Sequence, residues 1–102
     1  MGYDVHITRA EEWSENEGAE IPLDEWEALV DGDAELIPDP DNGMPMVLWK
    51  AHPDFQSVAP WFTWQNGNVM AKNPDAAMIE KMISMAAALD GVVQGDDGER
   101  YP

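Results

Sequence analysis

The chain contains no cysteine, which excludes disulfides, thiolate metal sites and a cysteine nucleophile. It is almost as poor in positive charge: Lys and Arg total 5 against 21 Asp and Glu, for a net charge of −16. A field of that sign repels phosphate backbones and anionic membranes. Direct nucleic-acid binding, which needs a basic stripe, is therefore not expected. No apolar run approaches the ~18 residues needed to span a bilayer. The start Met1-Gly2-Tyr3-Asp4 also lacks the basic and apolar regions of a signal peptide. The expectation is a soluble cytoplasmic protein with no membrane association.

Motifs for chemistry are equally scarce. The two histidines, His6 and His52, show no His-x-x-x-His or His-Glu-x-x-His spacing, so no metal is expected. The Asp39-Pro40-Asp41-Asn42-Gly43 stretch brings its glycine one place too early for a calcium loop and puts Lys50 where the closing Glu belongs. Ser14, Ser57 and Ser84 lie in no Gly-x-Ser-x-Gly context, and no Gly-x-Gly-x-x-Gly loop occurs. Nothing commits the chain to catalysis or to a cofactor. The Asp96-Asp97-Gly98-Glu99 segment reads as a solvated acidic tail.

What the chain does have is acid, unevenly placed. Residues 1 to 41 hold 14 acids and one base, a net of −13, while residues 42 to 102 hold 7 acids and 4 bases, a net of −3. The plain reading of such charge is solubility; the functional reading is steering of a cationic partner. The chain is also well supplied with core-forming residues. It has 102 residues, 44% of them hydrophobic, including five Trp and seven Met. That suits one domain over residues 1–102 with an ordinary core.

Tyr3 to Thr8 alternates with period 2, Tyr3, Val5 and Ile7 facing one way and Asp4, His6 and Thr8 the other, as in a half-buried strand. On that face His6 need not be buried. Residues 9 to 20 are acidic and aperiodic, a loop that Trp13 would pin to the body. Pro22 to about Asp31 predicts a short helix, with Leu23, Trp26, Leu29 and Val30 on one face and Gly32 as its stop. Ala34 to Ile37 and Met46 to Lys50 suit a hairpin around the Asp39–Gly43 turn. Residues 51 to 60 read as loop.

Asn66-Gly67 is the sharpest local signal, since both residues of a two-residue hairpin turn need positive φ. The register then pairs Gln65 with Asn68, Trp64 with Val69, Thr63 with Met70 and Phe62 with Ala71. Phe62, Trp64, Val69 and Ala71 share one face; Trp61, Thr63, Met70 and Lys72 share the other. Asn73 as N-cap and Pro74 as first residue would open the longest helix. In it Met78, Met82, Met85 and Leu89 form an apolar stripe that Ile79, Ile83 and Ala86 widen, and Gly91 ends it. Val92 to Gln94 is a last short strand. The order is β-α-β-β-β-β-α-β, an α+β fold with a mainly antiparallel sheet and two helices packed on one face.

The opening Gly2-Tyr3-Asp4-Val5-His6-Ile7-Thr8-Arg9, the Glu25-Trp26 helix, Lys72-Asn73-Pro74-Asp75 and the closing Gln94-Gly95-Asp96-Asp97-Gly98-Glu99-Arg100-Tyr101 carry a resemblance. Together they resemble a family of small bacterial proteins of uncharacterised function. Pro22 stands where that pattern has a helix-capping Ser or Thr, and the middle segment is shorter. The resemblance implies a bacterial cytosolic protein of this size and supplies no activity, cofactor or catalytic residue.

Two functional readings follow. In the first, an acidic surface of Glu11, Glu12, Glu15, Glu17, Glu20, Glu27, Asp31 and Asp33 engages a basic protein partner, in the manner of an immunity protein or a nucleic-acid mimic. That comparison is analogy alone. Trp61, Met70 and Lys72 form a second candidate surface if the helices cover the opposite face of the hairpin, unless a loop such as 9–20 or 51–60 covers it. In the second, a small molecule binds, or reacts, in a pocket near His6, Trp49, His52 and the C-terminal acidic motif. That reading expects both imidazoles in one concave site. For each histidine the plain alternative is a satisfied structural residue.

Overall fold

A computed structural model describes residues 3–101. The alternating segments become strands β1 (Asp4–Thr8), β2 (Leu36–Pro38), β3 (Met46–Trp49), β4 (Trp61–Gln65), β5 (Asn68–Lys72), β6 (Val92–Gly95) and β7 (Arg100–Tyr101). The helices are α1 (Leu23–Gly32), α2 (Phe55–Val58) and α3 (Ala76–Ala88). All seven strands join one antiparallel sheet in the order β2-β3-β4-β5-β1-β6-β7. The N-terminal strand is therefore central, held by β5 on one side and β6 on the other.

Alternation decides which face is covered. Val5, Ile7, Val47, Phe62, Val69, Ala71 and Val93 project from one side of the sheet into a single apolar cluster. Trp26 and Val30 of α1 and Met78, Met82, Met85 and Ala86 of α3 close that cluster from above. The α+β class and the Met stripe thus match the periodicity. Leu23 does not: it is 37% exposed, and α1 meets the core through the buried Trp26 and Val30 with Leu29 partly buried against them.

The turns follow their chemistry. Asn66 and Gly67 both take positive φ, and the hairpin pairs Thr63, Trp64 and Gln65 with Met70, Val69 and Asn68 as the turn type requires. At the end of α3 it is Asp90 that adopts the left-handed conformation. Gly91 is needed for space instead, because a Cβ there would lie 2.9 Å from the Thr8 carbonyl oxygen.

Three expectations change. The loop at 51–60 contains the single turn α2, so the described residues form three helices, not two. The acidic tail turns back to add β7, which pairs Val93 with Tyr101. The N-cap of α3 is Asp75, not Asn73. Asp75 Oδ1 accepts the Met78 N–H at 2.9 Å. Asn73 takes a positive φ and serves β1: its Oδ1 accepts the Tyr3 N–H, and its own N–H goes to the Tyr3 carbonyl. A short polar side chain that tolerates the left-handed region suits that junction better than it suits a cap.

Candidate functional site

The face of the sheet away from the helices carries Asp4, His6 and Thr8 from β1, Asn68, Met70 and Lys72 from β5, Trp61 and Thr63 from β4, and Gln94 from β6. Residues 9–20 lie across part of it. Two buried amides explain why an acidic, aperiodic loop settles there. Gln94, only 1% exposed, accepts the Trp13 N–H at 2.9 Å and donates to the Glu11 carbonyl at 2.6 Å. Asn68, 6% exposed, donates to the Trp13 carbonyl at 2.9 Å. The far end is tied down as well. Asn16 Nδ2 donates to the Asn66 carbonyl and to Asn68 Oδ1, and the Ile21 N–H donates to the Gly67 carbonyl. Buried polar groups satisfied in this way stabilise one loop path; left unpaired they would oppose folding.

Trp13 pins the loop as anticipated, and its target is His6. The two rings stack 3.8 Å apart at an interplanar angle of 7°. His6 is consequently buried, 6% exposed, although it faces away from the core. Its Nε2 lies 3.0 Å from Asp96 Oδ1, and Asp96 Oδ2 accepts the Asp4 N–H at 2.8 Å. The indole N–H of Trp13 reaches the Asp96 carbonyl at 3.2 Å. The segment read as a solvated tail is therefore a structured turn with Asp96 at its centre. Burial would raise the Asp96 pKa. The bonds from Asp4 N–H and His6, with the nearby charges of His6 and Lys72, more than reverse this, and the net shift is downward from 3.8.

That shift has a sign that can be measured. A carboxylate with a depressed native pKa adds stability above its unfolded value, and the gain is lost as pH falls through the native value. Asp75 behaves the same way. The Met78 N–H holds its pKa down, burial opposes this, and the His52 bond adds to the lowering. The urea midpoint should therefore fall as pH drops below the ordinary carboxylate range. Asp96→Asn should flatten part of that fall. Parallel curves for parent and variant would contradict it.

A cleft of about 350 Å³ opens beside the loop, lined by Asp4, His6, Trp13, Ser14, Asn16, Gln65, Asn66, Asn68 and Met70. That is near the lower end of the range for small-ligand sites. Trp61 is half-buried and Lys72 is exposed; both share its face of the sheet without lining it. A second cleft of about 270 Å³ lies between Arg9 and Arg100. Their guanidinium groups are already engaged, Arg9 with Glu25 and the Leu89 carbonyl, Arg100 with the Glu11 carbonyl.

His52 does not join His6. Its Nε2 sits 2.6 Å from Asp75 Oδ2, its Nδ1 accepts the Asp54 N–H at 2.9 Å, and its ring meets Trp49 edge-on. With Nδ1 accepting, the ring proton lies on Nε2 and faces Asp75. His52 thus ties the α2 turn to the start of α3. The structure joins His6 to the C-terminal acidic motif and leaves His52 outside that cleft. Trp49 is committed elsewhere too, donating its indole N–H to Glu35.

The acidic candidates separate in the same way. Asp33 is paired with Lys81 at 2.7 Å, and Lys81 also reaches Glu35 at 2.9 Å. Burial would raise the Asp33 pKa, but the Lys81 ammonium and the Glu35 N–H hold it below its usual value. Glu11, Glu12, Glu15, Glu17, Glu20, Glu27 and Asp31 are exposed and have no ion-pair partner among the described residues. No group of three or more His, Asp or Glu among them could hold a metal ion. No helix among them is long and apolar enough to cross a membrane.

No pattern in the sequence marks Asp4, Asn16, Asn66, Asn68, Gln94 and Asp96 as parts of one assembly. The only local hint was polar residues at outward strand positions, which solvent exposure explains equally well. Fold and site together define an antiparallel α+β protein with a polar cleft beneath a docked acidic loop. Comparison with protein families, curated proteins and solved structures finds no match for this chain.

Proposed function

We propose that the protein is a binding module whose docked acidic loop and first helix engage a basic protein partner. The observation that carries the reading is that Glu11, Glu12, Glu15, Glu17, Glu20, Glu27 and Asp31 are exposed, without an ion-pair partner among the described residues, and carried on segments with defined positions. An acidic segment that only aids solubility has no need to be latched at Glu11, Trp13, Asn16 and Ile21. Here the latching gives the charges a fixed arrangement, which is what electrostatic complementarity uses for steering and orientation. A cationic surface would relieve the like-charge repulsion that these carboxylates keep in the folded state.

The test compares two variants of equal net charge. One carries Gln at Glu11, Glu12, Glu15 and Glu17; the other carries Asn or Gln at Asp41, Asp54, Glu80 and Asp90. Basic proteins retained from a native lysate at low salt are the probes, with association followed by stopped flow. The loop variant should associate more slowly by a factor on the order of 10–100 at low salt, with the gap closing as salt rises. Equal slowing in both variants would reduce the effect to net charge and remove the assigned surface.

A second reading, a small-ligand site, is favoured by one observation: the cleft places the His6–Asp96 pair beside Asp4.

A further inference from the structure

We infer that the cleft beside Trp13 is a binding site for a guanidinium group. The inference rests on the proposed preference for basic partners and names the chemistry that the cleft itself selects. The donors deepest in the cleft are spent within the protein, whereas those of Ser14, Gln65 and Asn66 stand at its exposed rim. Both Asn16 Nδ2 protons go to the Asn66 carbonyl and Asn68 Oδ1. Asn68 Nδ2 goes to the Trp13 carbonyl, and the Trp13 indole N–H to the Asp96 carbonyl. His6 Nε2 is likewise taken up by Asp96. Two buried side-chain atoms among the described residues have no hydrogen-bond partner, the Tyr3 hydroxyl and Asp4 Oδ1, and of the two residues only Asp4 lines the cleft. An acceptor left that way is costly, and a turn of the Asp4 carboxylate toward the cleft would let an entering donor relieve that cost.

An acceptor-rich cleft selects a donor-rich ligand. A guanidinium presents five N–H groups and no acceptor, and it stays charged at any physiological pH. Its plane suits the rim formed by Trp13, and an attached aliphatic stem suits the Met70 thioether. A metal ion fits less well, because no group of three or more ligating side chains forms among the described residues. Lys72 stands opposite Asp4 in the β1–β5 register and forms no ion pair among those residues. Near the cleft, Asp4 and Asp96 therefore face a single exposed ammonium.

The probe is N-acetyl-arginine amide, followed by ¹H–¹⁵N spectra of the whole chain, with N-acetyl-citrulline amide as a neutral compound of the same shape. Saturable shifts are expected at His6, Asn68, Met70 and the Trp13 indole, with a Kd on the order of 1 mM. Citrulline should bind at least about tenfold more weakly, and Asp4→Asn should weaken arginine binding by a similar factor. Ser14→Trp, at an exposed position on the cleft wall, should abolish binding by filling the space while leaving the fold intact. Equal binding of arginine and citrulline would overturn the inference. So would shifts spread along Glu11 to Glu20 that Asp4→Asn leaves unchanged. An arginine-centred pentapeptide that binds more tightly than the capped residue supports a side chain borne by a protein, and equal affinity supports a free guanidinium compound. If capped arginine occupies the cleft while loop neutralisation leaves the association of basic proteins unchanged, the partner reading falls and the site remains. The opposite pattern removes the site alone.

Discussion

Replacing Trp26 by Ala is expected to destabilise the protein by about 3–5 kcal/mol. Trp26 is fully buried, at 0% exposure, among the residues of the single apolar cluster. Its indole N–H also donates to the Pro45 carbonyl at 2.8 Å, linking α1 to the segment that enters β3. Truncation would leave a cavity and an unpaired carbonyl together. A domain of this size commonly has a total stability of about 5–15 kcal/mol, so the variant would be marginal. Leu23→Ala is the internal control, because Leu23 sits on the same helix at 37% exposure. It should cost less than about 1 kcal/mol. Urea midpoints of the two variants measure the difference. Similar values would mean that α1 is not anchored through Trp26.

Gly67→Ala should cost about 2–3 kcal/mol and release the acidic loop. Gly67 has φ 83°, so any Cβ meets the left-handed penalty. Here the added atom would also fall 2.6 Å from Glu20 Cβ and 2.9 Å from Glu20 Cα. A flexible side-chain tip could move aside, but a backbone carbon moves only with the chain. The Ile21 N–H to Gly67 carbonyl bond would be disturbed with it. Gly18→Ala separates the two effects. Gly18 has φ 87° and nothing within 4 Å of its would-be Cβ, so only the conformational cost applies. Hydrogen exchange at the Ile21 amide should accelerate in the Gly67 variant and not in the Gly18 variant. Equal stability loss in the two would show that the loop does not rest on the hairpin turn.

These two sites differ in how far their roles can be read from the chain. Trp26 is visible as a core residue because Trp26, Leu29 and Val30 recur at helical spacing. Gly67 is visible as a turn residue because Asn-Gly demands positive φ. Its second role, as the surface over which Glu20 passes, depends on two segments about fifty positions apart and leaves no local mark. His6 shows the same division. Alternation places it opposite Val5 and Ile7. Its burial comes from Trp13, and its partner Asp96 lies 90 positions away.

The sequence by itself determined the α+β class, the hairpin register at Asn66-Gly67, the Met-lined face of α3 and the concentration of acid before residue 42. Each of these depends on neighbours within one or two turns of chain, where sterics and the period of alternation act directly. The tertiary structure alone decided that β1 lies at the centre of the sheet, that the C-terminal segment folds back as β7, and that Asp75 rather than Asn73 caps α3. It also decided the path of the acidic loop and the meeting of Asp4, His6, Trp13 and Asp96 around one cleft. Those outcomes depend on which distant polar groups can satisfy one another once buried, and no local period encodes that pairing.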